Sequence, residues 1–115
     1  MRRAVRKPRV ELLWWEGCPS TDAALAMVRE EMSAVGLDPE GVDVREVSTD
    51  EDAEREEFVG SPTIRVDGRD VQPLPDEPIG LACRVYRTGD GRVAPLPDPA
   101  EVRQTLITAM EGGGH

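Results

Sequence analysis

The chain predicts an α/β domain: a four-stranded mixed sheet in the order β-α-β-α-β-β-α, with helices on both faces. Three observations carry this. Val10 to Trp15 is a near-continuous apolar run that breaks at Gly17-Cys18-Pro19 and hands over to an amphipathic segment. Asp67-Gly68 separates two short alternating runs, the signature of a two-residue hairpin. Asp98-Pro99-Ala100-Glu101 opens a second long apolar stripe with an N-cap residue, a proline at the first helical position and an acidic residue three places on.

Val10 to Trp15 suits a central strand covered on both faces, because Val, Leu and Trp fill a pleated surface. Ser20 to Val35 places Leu25, Val28, Met32 and Val35 at helical spacing, and Gly36 supplies the stop. Its opposite face, Arg29, Glu30 and Glu31, is expected to be solvated. Val42 to Val47 is valine-rich and reads as a strand, which makes β-α-β a right-handed parallel crossover. Ser48 is the expected N-cap of an acidic helix over Asp52 to Phe58, with Glu51 completing a capping box and Phe58 and Val59 turned inward. Pro62 then leads Ile64 to Val66, and Arg69 to Val71 returns as an antiparallel neighbour. The proline-rich stretch from Gln72 to Pro97 has no long periodicity; within it, Leu81 to Tyr86 reads as a short strand or an ordered loop. Val102, Leu106, Ala109 and Met110 form the stripe of the last helix.

At 115 residues the chain fits one domain, expected over residues 9–111, between a basic tail at 1–8 and a glycine-rich tail at 112–115. A net charge of −9 disfavours nucleic acid, whose phosphates call for a basic face. The basic start is followed by too short an apolar run for a signal peptide, and no stretch approaches the roughly 20 apolar residues of a membrane span, so a cytoplasmic protein is expected. With two Trp, one Tyr and one Phe, the core must be built mainly from aliphatic side chains.

The chemistry centres on Cys18. It stands where a strand gives way to a helix N-terminus, whose unpaired N–H groups and partial positive charge favour a thiolate, and Gly17 and Pro19 keep bulk away from the sulfur. Ser20 and Thr21 can either cap the helix or donate to the thiolate. Trp14 and Trp15 point to opposite sides of their strand, and Trp15 is a candidate border of the cysteine. The second cysteine, Cys83, is remote in sequence, and two cysteines with one histidine, His115, cannot supply the four ligands of a structural zinc site. His115, after three glycines, is also a poor base for a Cys-His nucleophile.

The strand, cysteine corner, helix, strand, helix, proline-led strand, hairpin and final helix resemble a small member of the thioredoxin-like superfamily over roughly residues 9 to 111. Gly17-Cys18-Pro19-Ser20-Thr21 and Val59-Gly60-Ser61-Pro62-Thr63 carry the resemblance. It implies a cis Ser61-Pro62 bond beside the reactive cysteine. Thr21 stands where such proteins have their second cysteine, so a local dithiol cannot form. The resemblance also places the connection bearing Cys83 on the side of the sheet where Cys18 lies, which makes Cys83 either a resolving partner or an inert neighbour of Leu81 and Val85.

Three functions stay open. The first is a thiol-disulfide oxidoreductase with Cys18 and Cys83 catalytic; Trp15, Pro19, Ser20, Thr21, Ser61, Pro62 and Arg84 bind its substrate, a disulfide-containing protein or small thiol. No cofactor is expected beyond glutathione or another small thiol as co-substrate. The second, by a looser similarity to proteins catalogued as alkylmercury lyases, has both thiolates holding mercury and Asp22 protonating the leaving carbon. The third is a non-catalytic binding module.

Overall fold

A computed structural model of the chain describes residues 6–74 and 76–112. Its centre is a mixed sheet of four strands, β1 (Val10–Trp14), β2 (Asp43–Glu46), β3 (Thr63–Val66) and β4 (Arg69–Asp70), in the order β2-β1-β3-β4. β1 is parallel to β2 and antiparallel to β3, and β3 is antiparallel to β4. The helices are α1 (Thr21–Ala34), α2 (Asp50–Glu56) and α3 (Pro99–Met110).

The two faces of the sheet carry separate apolar layers. Val10, Leu12, Ile64 and Val66 pack against Ala24, Val28 and Met32 of α1 and against Val102, Leu106 and Ala109 of α3. Leu13 packs on the other face with Val47, Ala53 of α2 and Phe58. The period-2 alternation of β1 therefore feeds both layers, as the unbroken apolar run requires. Glu11, buried in that strand, is matched by Arg45 of β2.

Several boundaries differ from expectation for local reasons. Ser20 and Val35 are the caps of α1 and not its first and last residues. Gly36, at φ +88°, lets the Leu37 N–H reach back to the Met32 carbonyl at 2.8 Å. The N-cap of α2 is Thr49 and not Ser48: the Thr49 hydroxyl accepts the Asp52 N–H at 3.0 Å, while the Ser48 hydroxyl donates to the Asp52 carboxylate at 3.3 Å. The helix therefore starts earlier and ends before Phe58, at Glu57 in the left-handed region. Asp98 caps α3 as expected, accepting the Ala100 N–H at 3.0 Å, but Glu101 closes no capping box and instead accepts from Gln72. Glu31, expected in solvent, is buried against Arg103 of α3 at 2.6 Å.

The Gln72–Pro97 region holds a second hairpin, β5 (Tyr86–Arg87) with β6 (Val93–Ala94), turned at Asp90-Gly91 with Gly91 at φ +83°. At the N-terminal end the fold begins before residue 9, because the Arg6 N–H donates to the Met110 carbonyl at 2.9 Å. The rest of the expected tails, residues 1–5 and 113–115, including His115, lies outside the described residues. Among the described residues, no helix is long and apolar enough to cross a membrane.

Candidate functional site

The corner after β1 is built by main-chain geometry. The Cys18 N–H donates to the Trp15 carbonyl at 3.1 Å, which turns the chain back and sets the sulfur just ahead of α1. Gly17 lets the Trp15 indole lie against its backbone: a Cβ on it would stand 2.3 Å from the ring and displace it. Trp15 is half-buried at the edge of the Phe58 layer and so borders the corner, whereas Trp14 leaves its strand on the other side.

Across from the corner stands Ser61, fully buried, in the segment that leads into β3. The Ser61-Pro62 peptide is cis. The Ser61 hydroxyl accepts the Trp15 N–H at 3.0 Å, and its carbonyl accepts the Cys18 thiol at 3.3 Å. The same residue pairs with the remote loop. Ser61 N–H donates to the Ala82 carbonyl at 2.7 Å and Arg84 N–H donates to the Ser61 carbonyl at 3.0 Å, an isolated parallel bridge between Ser61 and Cys83. Cys83 Sγ then lies 4.0 Å from the Gly17 carbonyl. One residue thus contacts both cysteines, Cys18 through its carbonyl and Cys83 through the bridge.

Gly60 makes that approach feasible. It adopts φ +129°, and a Cβ there would lie 2.7 Å from the Arg84 Cβ. Thr63 stabilises the turn by donating its hydroxyl to the Gly60 carbonyl at 2.6 Å.

Both cysteines are free thiols, Cys18 buried and Cys83 exposed. Burial pushes the Cys18 thiol up, but the Ser20 N–H, the Cys83 thiol and the hydroxyls of Ser61 and Ser20 all donate toward its sulfur, and the net effect lowers it below an ordinary cysteine. Cys83 moves the opposite way: its proton serves the Cys18 sulfur, burial adds to the cost of charging it, and the Cys18 charge repels a second one. The pair therefore gives up its first proton, from Cys18, more readily than its second.

Ser20 makes no side-chain cap hydrogen bond on α1, leaving its hydroxyl to the sulfur. Thr21 does neither of the things expected of it; its buried hydroxyl has no partner among the described residues. Pro19 is exposed beside the corner and Pro62 is buried beneath it.

Arg84 is not at the sulfurs, nor is it a surface arginine. Its side chain is 1% exposed and points away, into an ion pair with Asp70 at 2.6 Å, a hydrogen bond to the Gln72 carbonyl at 2.7 Å and a stack 4.1 Å over the Tyr86 ring. Tyr86, fully buried, donates its hydroxyl to the Pro62 carbonyl, and burial pushes its ionisation far above the usual phenol range. This anchor on Cys83's neighbour was missed in the sequence, where only the lone tyrosine in a structureless-looking stretch hinted at it. Asp22 is exposed on α1, and among the described residues no group of three or more His, Cys, Asp and Glu is arranged as a metal site.

Comparison with protein-family models, with curated proteins and with solved structures finds no match for this chain.

Proposed function

We propose that the chain is a thiol-disulfide oxidoreductase of thioredoxin-like fold, with Cys18 and Cys83 cycling between dithiol and disulfide. The observation that carries the reading is Ser61, which contacts two cysteines remote in sequence, each of which alters the other's ionisation. The strand order β2-β1-β3-β4, the cysteine at the end of β1 and the cis proline beside it agree with the fold assignment.

In this reading Cys83 takes the part that Thr21 cannot. The reduced pair carries its charge on Cys18, where the Ser20 and Ser61 donors hold it. Exchange with an external disulfide forms the Cys18–Cys83 bond, transfers two electrons to the external sulfurs and releases them as two thiols. A thiol whose ionisation is lowered is a more populated thiolate and a better leaving group, so Cys18 can both close the internal disulfide and be expelled from it.

The test is mild oxidation of the reduced protein followed by alkylation and mass analysis, with insulin reduction measured for wild type, Cys18→Ser and Cys83→Ser. An internal disulfide and loss of turnover in both variants are expected. Full alkylation of both thiols after oxidation would sink the reading, and retained glutathione-linked turnover in Cys83→Ser would reduce it to a monothiol site.

A further inference from the structure

We infer that external sulfur enters and leaves this site at Cys83, so that the cysteine at the helix start is the inner member of the pair and never carries the substrate. The inference rests on the exchange reading above and assigns the roles within it.

The geometry is one of access. Cys18 is only 7% exposed, and its sulfur is engaged by the Ser61 carbonyl at 3.3 Å, with Ser61 itself fully buried. Cys83 is exposed on the outer side, and its neighbours Ala82 and Val85 are exposed too, Val85 at 58%. Thiolate attack on a disulfide forms the new bond opposite the one that breaks. Displacing Cys83 from Cys18 would require the incoming thiolate to reach the buried Cys18 sulfur. Displacing Cys18 from Cys83 requires only an approach from solvent.

Leaving-group chemistry agrees with access. When a substrate thiolate attacks Cys83 Sγ, the Sγ–Sγ bond breaks and its electron pair leaves on Cys18, the sulfur the site stabilises as an anion. The substrate is then joined to Cys83 as a mixed disulfide. A second thiolate of the same dithiol substrate attacks the substrate sulfur of that bond, forms the substrate disulfide and expels Cys83, which takes up a proton. Two electrons pass from substrate to pair; of the two protons lost by the substrate dithiol, one is retained on Cys83 and one goes to solvent. In reverse, Cys83 gives up its proton to solvent and attacks the external disulfide, expelling one external sulfur as a thiolate; Cys18 then attacks Cys83 within the mixed disulfide and expels the second, an intramolecular step that needs no access from outside. The pair is thereby suited to oxidising dithiols, and a second external disulfide restores it by the reverse route.

The experiment uses the full chain carrying its internal disulfide. A limiting amount of 2-mercaptoethanol, a neutral monothiol, is added, the reaction is acid-quenched, and the mixed disulfide is located by peptide mass analysis. At least about tenfold more adduct on Cys83 than on Cys18 is expected from the difference in leaving group and access. Adduct on Cys18, or an even division, overturns the assignment. Failure of the internal disulfide to form at all overturns the exchange reading itself, an outcome visible before the thiol is added.

Discussion

Cys83 lies beside Ser61 in a parallel bridge, and the Ser61 carbonyl that completes it also accepts the Cys18 thiol at 3.3 Å. Two cysteines on separate elements are thus positioned by a single buried residue, and any change that moves Ser61 moves both.

The reduced pair should titrate in two steps that flank the ordinary cysteine range. The first belongs mainly to Cys18, lowered by its donors against the opposing effect of burial; the second belongs to Cys83, raised by the Cys18 charge and by burial. A folded-state ionisation lowered in this way stabilises the fold above the unfolded cysteine value, and that contribution is lost as pH falls through the Cys18 step. The raised Cys83 step acts oppositely, contributing below the unfolded value and fading as pH rises through it. Ultraviolet thiolate absorbance against pH should show both steps in wild type and a single, higher Cys18 step in Cys83→Ala, which lacks the side-chain donor. Two coincident steps at the free-cysteine value would contradict the pairing.

Ser61→Ala removes the acceptor for the Trp15 N–H and one donor to the Cys18 sulfur. Losing the acceptor of this part-buried N–H costs about 1 kcal/mol, so the urea midpoint should fall with an unchanged slope. Cys18 should also ionise at higher pH. A fall in stability with no change in thiolate titration would separate the hydroxyl from the sulfur.

Much of this fold was legible because its signals are local. Val10 to Trp15 has the composition of a central strand, Asp67-Gly68 supplies the positive φ values that its hairpin needs (+53° and +81°), and Asp98-Pro99 fixes the start of α3. The miscast elements were set by tertiary partners. Glu31 is buried because Arg103 meets it from a helix far along the chain, and Arg84 is buried because Asp70, Gln72 and Tyr86 close around it. The site divides in the same way. Cys18 announces itself by position, but the arrival of Cys83 depends on a main-chain bridge whose only sequence trace is Gly60, and nothing in one sequence says that the missing Cβ is clearing Arg84.

Gly60→Ala tests that bridge directly. The substitution adds a Cβ 2.7 Å from Arg84 Cβ at a residue with φ +129°, so the 82–84 segment must draw back. A loss of about 1–3 kcal/mol is expected from the backbone alone. The rate of Cys18–Cys83 closure under mild oxidant should fall with it. Gly36→Ala is the control: φ is +88° but no atom stands within 4 Å, so it should cost about 1 kcal/mol and leave disulfide closure unchanged. Equal effects of the two on closure would mean that global destabilisation, and not the bridge, governs the pair.

Asp70→Ala removes the carboxylate from a guanidinium whose side chain is 1% exposed. The remaining contacts, the Gln72 carbonyl at 2.7 Å, the Thr63 hydroxyl at 3.4 Å and the Tyr86 ring at 4.1 Å, are neutral and cannot balance the charge, and an uncompensated buried cation costs about 3 kcal/mol. Because Arg84 adjoins Cys83 and its N–H completes the Ser61 bridge, relaxation of its side chain toward water should carry the Cys83 backbone with it. The internal disulfide should then form more slowly and be reduced at a less negative potential, while Cys18, fixed from the other side by Ser20, keeps much of its lowered ionisation. Asp70→Asn, which retains an acceptor oxygen at the same place, should show a smaller form of both effects. Destabilisation with an unaltered potential would confine Arg84 to the core and separate it from the sulfur pair.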